Sequence, residues 1–240
     1  MLTNPDKELF KNVSKQNVHD YYKMVAPYIL PYLVGRPLAL VKCPGGVESS
    51  CFYNKNSDGG KIYINNQQEL LAQVQQNTIE FHIGGLLTFD LDPDDTLGHD
   101  ALIRACLDLK KILDTLGLES FIKTSGNKGY HIVVGNPPSA DIAGFARKVA
   151  ELMAAKHPDR YTTNIRKDAR KGLIFVDWLR NTKGATCVAP YSLRAKPNAG
   201  VSMPISWAKL KSTPPDAVTI HNAGKFLRHS SSWQGMIQPQ

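Results

Sequence analysis

The chain has 240 residues, 42% of them apolar and 21% charged, which excludes a mainly disordered or fibrous protein. That length is enough to bury a sizeable core as one large domain or two small ones. Lys and Arg number 29 against 21 Asp and Glu, a net charge of +8, which turns attention to polyanionic partners.

Val18, Tyr21, Tyr22, Val25, Ile29 and Leu33 recur at three- and four-residue steps and predict a helix over Val18–Leu33, with Ser14 as its cap and Pro31 and Gly35 bracketing its end. Pro37–Cys43 is short and apolar and reads as a strand. Asn66–Gln76 reads as a helix and Leu86–Asp92 as a strand. His99–Leu116 is a helix with Leu102, Ala105, Cys106, Leu109, Ile112, Leu113 and Leu116 on one face and Gly117 as its stop. Ser120–Thr124 and Tyr130–Val134 are strands joined by a glycine-rich turn. Asp141–Lys156 is a helix, and Leu173–Asp177 and Ala185–Ala189 are strands; beyond Trp207 the pattern weakens. Helices and strands mix without strict alternation, so the expected class is α/β of the α+β type, with mixed or antiparallel sheets flanked by helices. No linker interrupts residues 1–240, which read as a single domain.

Between Arg160 and Lys196 there are nine Lys and Arg against only Asp168 and Asp177, so +7 of the net +8 lies in 37 residues. Arg166, Lys167, Arg170 and Lys171 are expected to stay free for a nucleic-acid backbone or for solvent. The four cysteines (Cys43, Cys51, Cys106, Cys187) form no CxxC pair and no Cys/His metal spacing, which argues against a zinc site or a disulfide framework. No run approaches the ~20 apolar residues of a membrane span, and the first ten residues hold no apolar signal region. A reducing cytoplasm is the simplest expectation.

In the strand Leu86–Asp92, alternation puts Phe89 and Leu91 on one face and Asp90 and Asp92 on the other, about 6–7 Å apart at ~3.3 Å per residue. Paired carboxylates at the end of an apolar strand suit a hard divalent cation, Mg²⁺ or Mn²⁺. Alone the pair leaves ordinary turn chemistry open. A second apolar strand ends in Asp177, and three carboxylates on two strand ends could serve a two-metal centre.

Lys123-Thr124-Ser125-Gly126-Asn127-Lys128-Gly129-Tyr130-His131 lacks the P-loop pattern. Its parts still suit phosphate: Gly126 and Gly129 allow close backbone approach, Ser125 offers a hydroxyl, Lys128 a charge and His131 a ring N–H. Downstream, Ser192 and Arg194 add a hydroxyl and a guanidinium able to clamp phosphate oxygens. Read separately, these are also a hairpin turn, a strand histidine and a surface ion pair.

Taken in order, these segments resemble the polymerase domain of bacterial ligase D, a member of the archaeo-eukaryotic primase superfamily. The likeness runs from Leu2 to about Trp233, on LTNPDKELF (2–10), GRPLALVKCPGGV (35–47), FYNK (52–55), TFDLDPDD (88–95), GLESFIKTSGNKGYHIVV (117–134), and IFVDWLRN and TCVAPYSLRAKPNAGVSMPISW (174–207). It implies a primase-like catalytic core at about 81–210, an N-terminal DNA-end-binding part at about 1–80, and template-directed addition of ribo- or deoxyribonucleotides to DNA 3′ ends in non-homologous end joining. It further implies two divalent ions, Mn²⁺ or Mg²⁺, held by Asp90, Asp92 and Asp177. Ser125, Lys128, His131, Ser192 and Arg194 would hold the incoming triphosphate, Phe52 and Tyr53 would stack beside the nucleotide and templating base, and Lys7 and Lys15 would grip a recessed 5′-phosphate at a break or gap. The implied partners are bacterial Ku and a DNA ligase, with the protein cytoplasmic and nucleoid-associated. The chain departs from the resemblance in short connections at Asn56–Lys61 and Glu80–Gly85, in its ending Phe226–Gln240, and in lacking any ligase motif. A standalone primase-type polymerase, a metal-dependent nuclease and a non-catalytic break-binding module are the alternatives.

Overall fold

The computed structural model describes residues 2–57, 60–135, 139–227, 233 and 236. Most of the divergent ending after Leu227 lies outside the described residues, as do residues 58–59 within the short 56–61 connection.

In chain order, strands β1 (Glu8–Phe10) and β2 (Val13–Ser14) form a small hairpin ahead of helix α1 (Lys15–Leu33). Ser14 caps α1 through a reciprocal box: its hydroxyl accepts the Asn17 N–H at 3.2 Å, and Asn17 Oδ1 accepts the Ser14 N–H at 2.9 Å. The helix runs through Pro27 and Pro31, where the sequence reading had Pro31 bracketing its end. Its continuous buried face of Val18, Tyr22, Val25, Ile29 and Leu33 outweighs the missing donors. Then come β3 (Leu38–Lys42), β4 (Phe52–Asn54), β5 (Asn56–Ser57), β6 (Gly60–Lys61), α2 (Gln67–Gln75), β7 (Thr78–Ile83), β8 (Leu87–Pro93) and α3 (His99–Thr115). β9 (Ser120–Thr124), β10 (Tyr130–Val134), α4 (Ile142–Lys156), β11 (Tyr161–Thr162), β12 (Ile174–Asp177), β13 (Cys187–Val188), β14 (Pro204–Ile205) and a short α5 (Gly224–Leu227) complete the order.

Two sheets carry the architecture. One has six strands in the order β11-β12-β8-β10-β9-β14, antiparallel except for the β11/β12 pair. The other has four, in the order β13-β7-β3-β4, all antiparallel. This is the mixed α/β class expected. β7 is an element the sequence reading did not place; all six of its residues are buried, including Thr78, Glu80 and His82, so its polar side chains masked an interior strand. It joins β3 of the N-terminal region to β13 of the later one.

The cysteine reading is corrected: Cys43 and Cys51 are joined by a disulfide. The reason is register. Lys42 opposes Phe52 at the end of the β3/β4 hairpin, so the next residues on each strand, Cys43 and Cys51, close the loop with Cα atoms 4.3 Å apart. Cys106 and Cys187 are free and buried. No described helix is long and apolar enough to cross a membrane.

Candidate active site

The site is built on a row of side chains running across the large sheet. Antiparallel register sets Asp177 of β12 opposite Asp90 of β8, Asp90 opposite His131 of β10, and His131 opposite Lys123 of β9. Directly opposed residues share a face, so four polar side chains from four strands line up on one side of a sheet whose alternate positions, Phe89, Leu91, Ile132 and Val176, are core.

His131 Nε2 lies 3.4 Å from Asp90 Oδ1. Arg180, three residues past Asp177, places Nε 3.5 Å from Asp90 Oδ2 and 3.3 Å from Asp177 Oδ2 and so offsets part of the pair's charge. Asp92 shares the face of Asp90 but is more exposed, and its carboxylate lies 3.9 Å from Arg170 Nη1. Burial raises Asp90 to about 6; Asp177 and Asp92 add to the rise and Arg180 opposes it. Burial also raises Asp177, again against Arg180. Carboxylates so desolvated are stabilised by any cation among them.

Among the described residues no three His, Cys, Asp or Glu side chains are grouped closely enough to cage a metal by themselves. The donor set nevertheless fits a Mg²⁺-type ion, which is usually held by one or two carboxylates with waters and substrate phosphates completing its shell. Asp90 and Asp177 are the adjacent pair and Asp92 the third oxygen donor on the same edge.

The glycine-rich turn between β9 and β10 stands beside this row. The Ser125 hydroxyl accepts the N–H groups of Asn127 at 3.2 Å and Gly129 at 3.1 Å, so it shapes the turn. The glycines serve close packing of the chain on itself. A Cβ on Gly129 would sit 2.2 Å from the Leu91 carbonyl oxygen, and one on Gly126, at φ +69°, 2.8 Å from Arg194 Cγ. Lys128 is exposed and paired with Asp95. Arg194 crosses the turn, donating from Nη1 to the Ser125 carbonyl at 2.7 Å and from Nε to Glu80 at 3.2 Å.

Glu80 is a buried anchor that the sequence reading missed. It accepts from His82 Nε2 at 2.7 Å, from Arg194, and from the Ala195 N–H at 2.7 Å. Although burial pushes it up, His82 and Arg194 hold it down at about 2. Ser192 is fully buried: its hydroxyl accepts the Phe81 N–H and donates to the Leu193 carbonyl, both at 2.9 Å.

Phe52 and Tyr53 are 50% and 63% exposed on β4, an uncommon state for adjacent aromatics and the state a stacking surface requires. Tyr53 also meets His82 edge-on at 5.5 Å between ring centres. Lys7 and Lys15 come together near the N-terminus. Lys7 donates to the Pro44 carbonyl and Lys15 to the Thr3 carbonyl at 3.0 Å. Burial and then the Lys7 charge lower Lys15. Neither forms an ion pair with a carboxylate among the described residues.

The basic segment 160–196 differs from expectation. Arg170 is folded onto the sheet, its guanidinium 3.5 Å over the Phe175 ring and donating to the Asn164 and Ile165 carbonyls, and Arg166 pairs with Asp168 at 2.7 Å. Neither is free. A groove of about 590 Å³ next to Arg180 gathers Arg36, Lys55, Lys61 and Lys183 instead, with no Asp or Glu among its described lining residues. Asn56 and Lys61, and Gly84 and Gly85, line it; Glu80–Ile83, expected within a short connection, belong instead to β7. Arg180, Lys123 and Glu80 were legible only as charges inside apolar stretches.

Comparison with known proteins adds three findings. The profile of the family described as LigD, primase-polymerase domain, matches residues 14–62 and 57–233. The chain is 30% identical over 244 residues to the multifunctional non-homologous end joining protein LigD of Mycolicibacterium smegmatis, covering 87% of this chain and 32% of that protein. It is 31% identical over 230 residues to the LigD of Pseudomonas aeruginosa, covering 83% of this chain and 27% of that one. The chain thus spans about a third of the length of these relatives. Its fold matches the polymerase domain from Mycobacterium tuberculosis ligase D, solved in complex with DNA, with a TM-score of 0.89 and 26% identity over 98% of this chain and 97% of that one.

Proposed function

The chain belongs to the LigD primase-polymerase domain family, and from that premise we propose that it is a template-directed nucleotidyltransferase that extends DNA 3′ ends and fills gaps in end joining. The observation that carries this reading is the cross-strand row Asp177–Asp90–His131, which sets a carboxylate pair and a histidine on one face of the sheet beside the turn that carries Lys128 and meets Arg194.

Asp90, Asp177 and the neighbouring Asp92 would hold two divalent ions, Mg²⁺ or Mn²⁺, which when bound activate the primer hydroxyl and neutralise the transferring phosphates. Lys128, His131 and Arg194 hold the triphosphate. Arg194 is pre-set by Glu80 and the Ser125 carbonyl, so little ordering remains when substrate arrives. Ser125 and Ser192 support this cradle through the backbone. The primer 3′-oxygen attacks the α-phosphorus and pyrophosphate leaves. Phe52 and Tyr53 stack on the base and its templating partner, which tolerates any base. The groove of Arg36, Lys55, Lys61 and Lys183 receives nucleic-acid backbone, and Lys7 and Lys15 receive the recessed 5′-phosphate. The sites of action are breaks on nucleoid DNA in the cytoplasm, with Ku and a DNA ligase as partners.

The test is primer extension on a gapped duplex bearing a recessed 5′-phosphate, with Mn²⁺ or Mg²⁺ and ribo- or deoxyribonucleotides. Extension is expected from the native chain. Asp177→Ala should lower it at least about a hundredfold, since a metal contact is worth several kcal/mol and each ~1.4 kcal/mol is tenfold. No extension under any metal, or DNA cleavage without nucleotide, would reject this reading in favour of a binding module or a nuclease.

A further inference from the structure

Lys123 is out of place for a lysine. It sits in the middle of β9, 2% exposed, and has no carboxylate partner among the described residues. Burying an ammonium is unfavourable unless its hydrogen bonds are all met, so its contacts matter. Its Nζ lies 2.7 Å from His131 Nδ1 and 2.6 Å from Ser202 Oγ. The Ser202 hydroxyl donates to the Thr124 carbonyl at 3.1 Å, so its oxygen faces Lys123 as an acceptor. The second neighbour of His131 Nδ1 is the Cys187 sulfur at 3.0 Å, whose S–H is also a donor.

We propose that Lys123 is a positioning residue that fixes the ring tautomer of His131, leaving Nδ1 as the acceptor and putting the single ring proton on Nε2. An ammonium 2.7 Å from Nδ1 can only donate to it, so a proton on Nδ1 would face another donor's hydrogen. An imidazole that accepts a hydrogen bond at Nδ1 is neutral and carries its one proton on Nε2. Lys123, pushed down by burial to about 8, is still mainly protonated at neutral pH. Nε2 is the nitrogen on the site side, 3.4 Å from Asp90 Oδ1. The lysine thus presents an N–H, rather than a lone pair, to the side where a polyphosphate binds. With the wrong tautomer a lone pair would face phosphate oxygens. The consequence for substrate rests on the proposed reading of His131 as a triphosphate ligand; the tautomer itself does not.

Nitrogen-15 NMR of the histidine-labelled full chain, without nucleotide, tests the tautomer directly, with the His131 signals assigned by difference from His131→Gln. The wild type should show a protonated Nε2 and a bare Nδ1. A proton on Nδ1 in the wild type would overturn the proposal whether or not any variant folds. Lys123→Met should release the tautomer toward a mixture, and Lys123→Gln, whose amide still donates, should restore it. In primer extension Lys123→Met should raise the nucleotide KM roughly tenfold, the scale of one hydrogen bond to a charged group, with kcat within about twofold and partial recovery in Lys123→Gln. An unchanged tautomer in Lys123→Met would overturn the proposal. A released tautomer with KM unaffected in His131→Gln would uphold it and reject only the role of His131 toward triphosphate.

Discussion

At the scale of single residues, the site is a contest between burial and charge. Asp90 is nearly enclosed, faces two other carboxylates and is compensated by Arg180. Its folded value of about 6 lies above the unfolded value of about 3.9, so the folded chain binds this proton more tightly. The Asp90 contribution to stability is therefore fully present below about pH 4 and lost as pH rises through 6. Asp90→Asn removes the ionisation while keeping the shape. Without added metal it should raise the melting temperature at pH 7.5 by several degrees, on the order of 1–3 kcal/mol, and change it little at pH 4, while abolishing extension. A melting temperature at pH 7.5 equal to or below the wild type would contradict this electrostatic account. Phe52 and Tyr53 make the opposite case, since both are half-exposed or more and contribute little to the core. Replacing either with alanine should leave thermal stability within about 0.5 kcal/mol and weaken binding to primer–template by roughly 1–3 kcal/mol, as read by fluorescence anisotropy.

At the scale of elements, the β3/β4 hairpin and β7 set where function-bearing side chains lie. The hairpin carries Phe52 and Tyr53 immediately after Cys51, and the Cys43–Cys51 bond closes its loop. The same loop touches the N-terminal region, where Val47 N–H donates to Leu9 O at 2.8 Å and Lys7 reaches Pro44. Closing so short a loop is worth on the order of 2–3 kcal/mol. The double substitution Cys43→Ser, Cys51→Ser should lower the melting temperature by that scale, and the wild type should fall to the same value under strong reductant. If reductant leaves the wild type unchanged, the bond does not form in solution. β7 has a different task. Its Glu80 ties the second sheet to Arg194 and Ala195, so the turn beside the Asp90 strand is braced from both sheets. The glycine-rich turn is short because its glycines let it lie against Leu91 and Val201, which brings Lys128 and Arg194 to the edge holding Asp90.

At the scale of the whole molecule, two sheets and the helices packed on them leave a groove lined by Arg36, Lys55, Lys61 and Lys183, the surface proposed above for nucleic-acid backbone. Lys7 and Lys15 lie close enough for the Lys7 charge to lower Lys15, and the groove lies beside Arg180. Replacing Lys7 and Lys15 together by alanine should weaken binding to gapped DNA bearing a 5′-phosphate more than to the same DNA lacking it. An equal loss on both would show general backbone contacts instead. The sequence by itself determined the periodic elements: α3, β9, β10 and the helix capped by Asp141 follow its pattern to within a residue, because their signals are local. It also determined the pairing of two carboxylates, since alternation alone puts Asp90 and Asp92 on one face. Only the tertiary structure decided what depends on register between distant strands. It set Asp177 and His131 on either side of Asp90 and buried β7 between β3 and β13 despite its polar residues. Such pairings join residues far apart in the chain. They are chosen by the burial of whole sheet faces, a property that no local window of sequence contains.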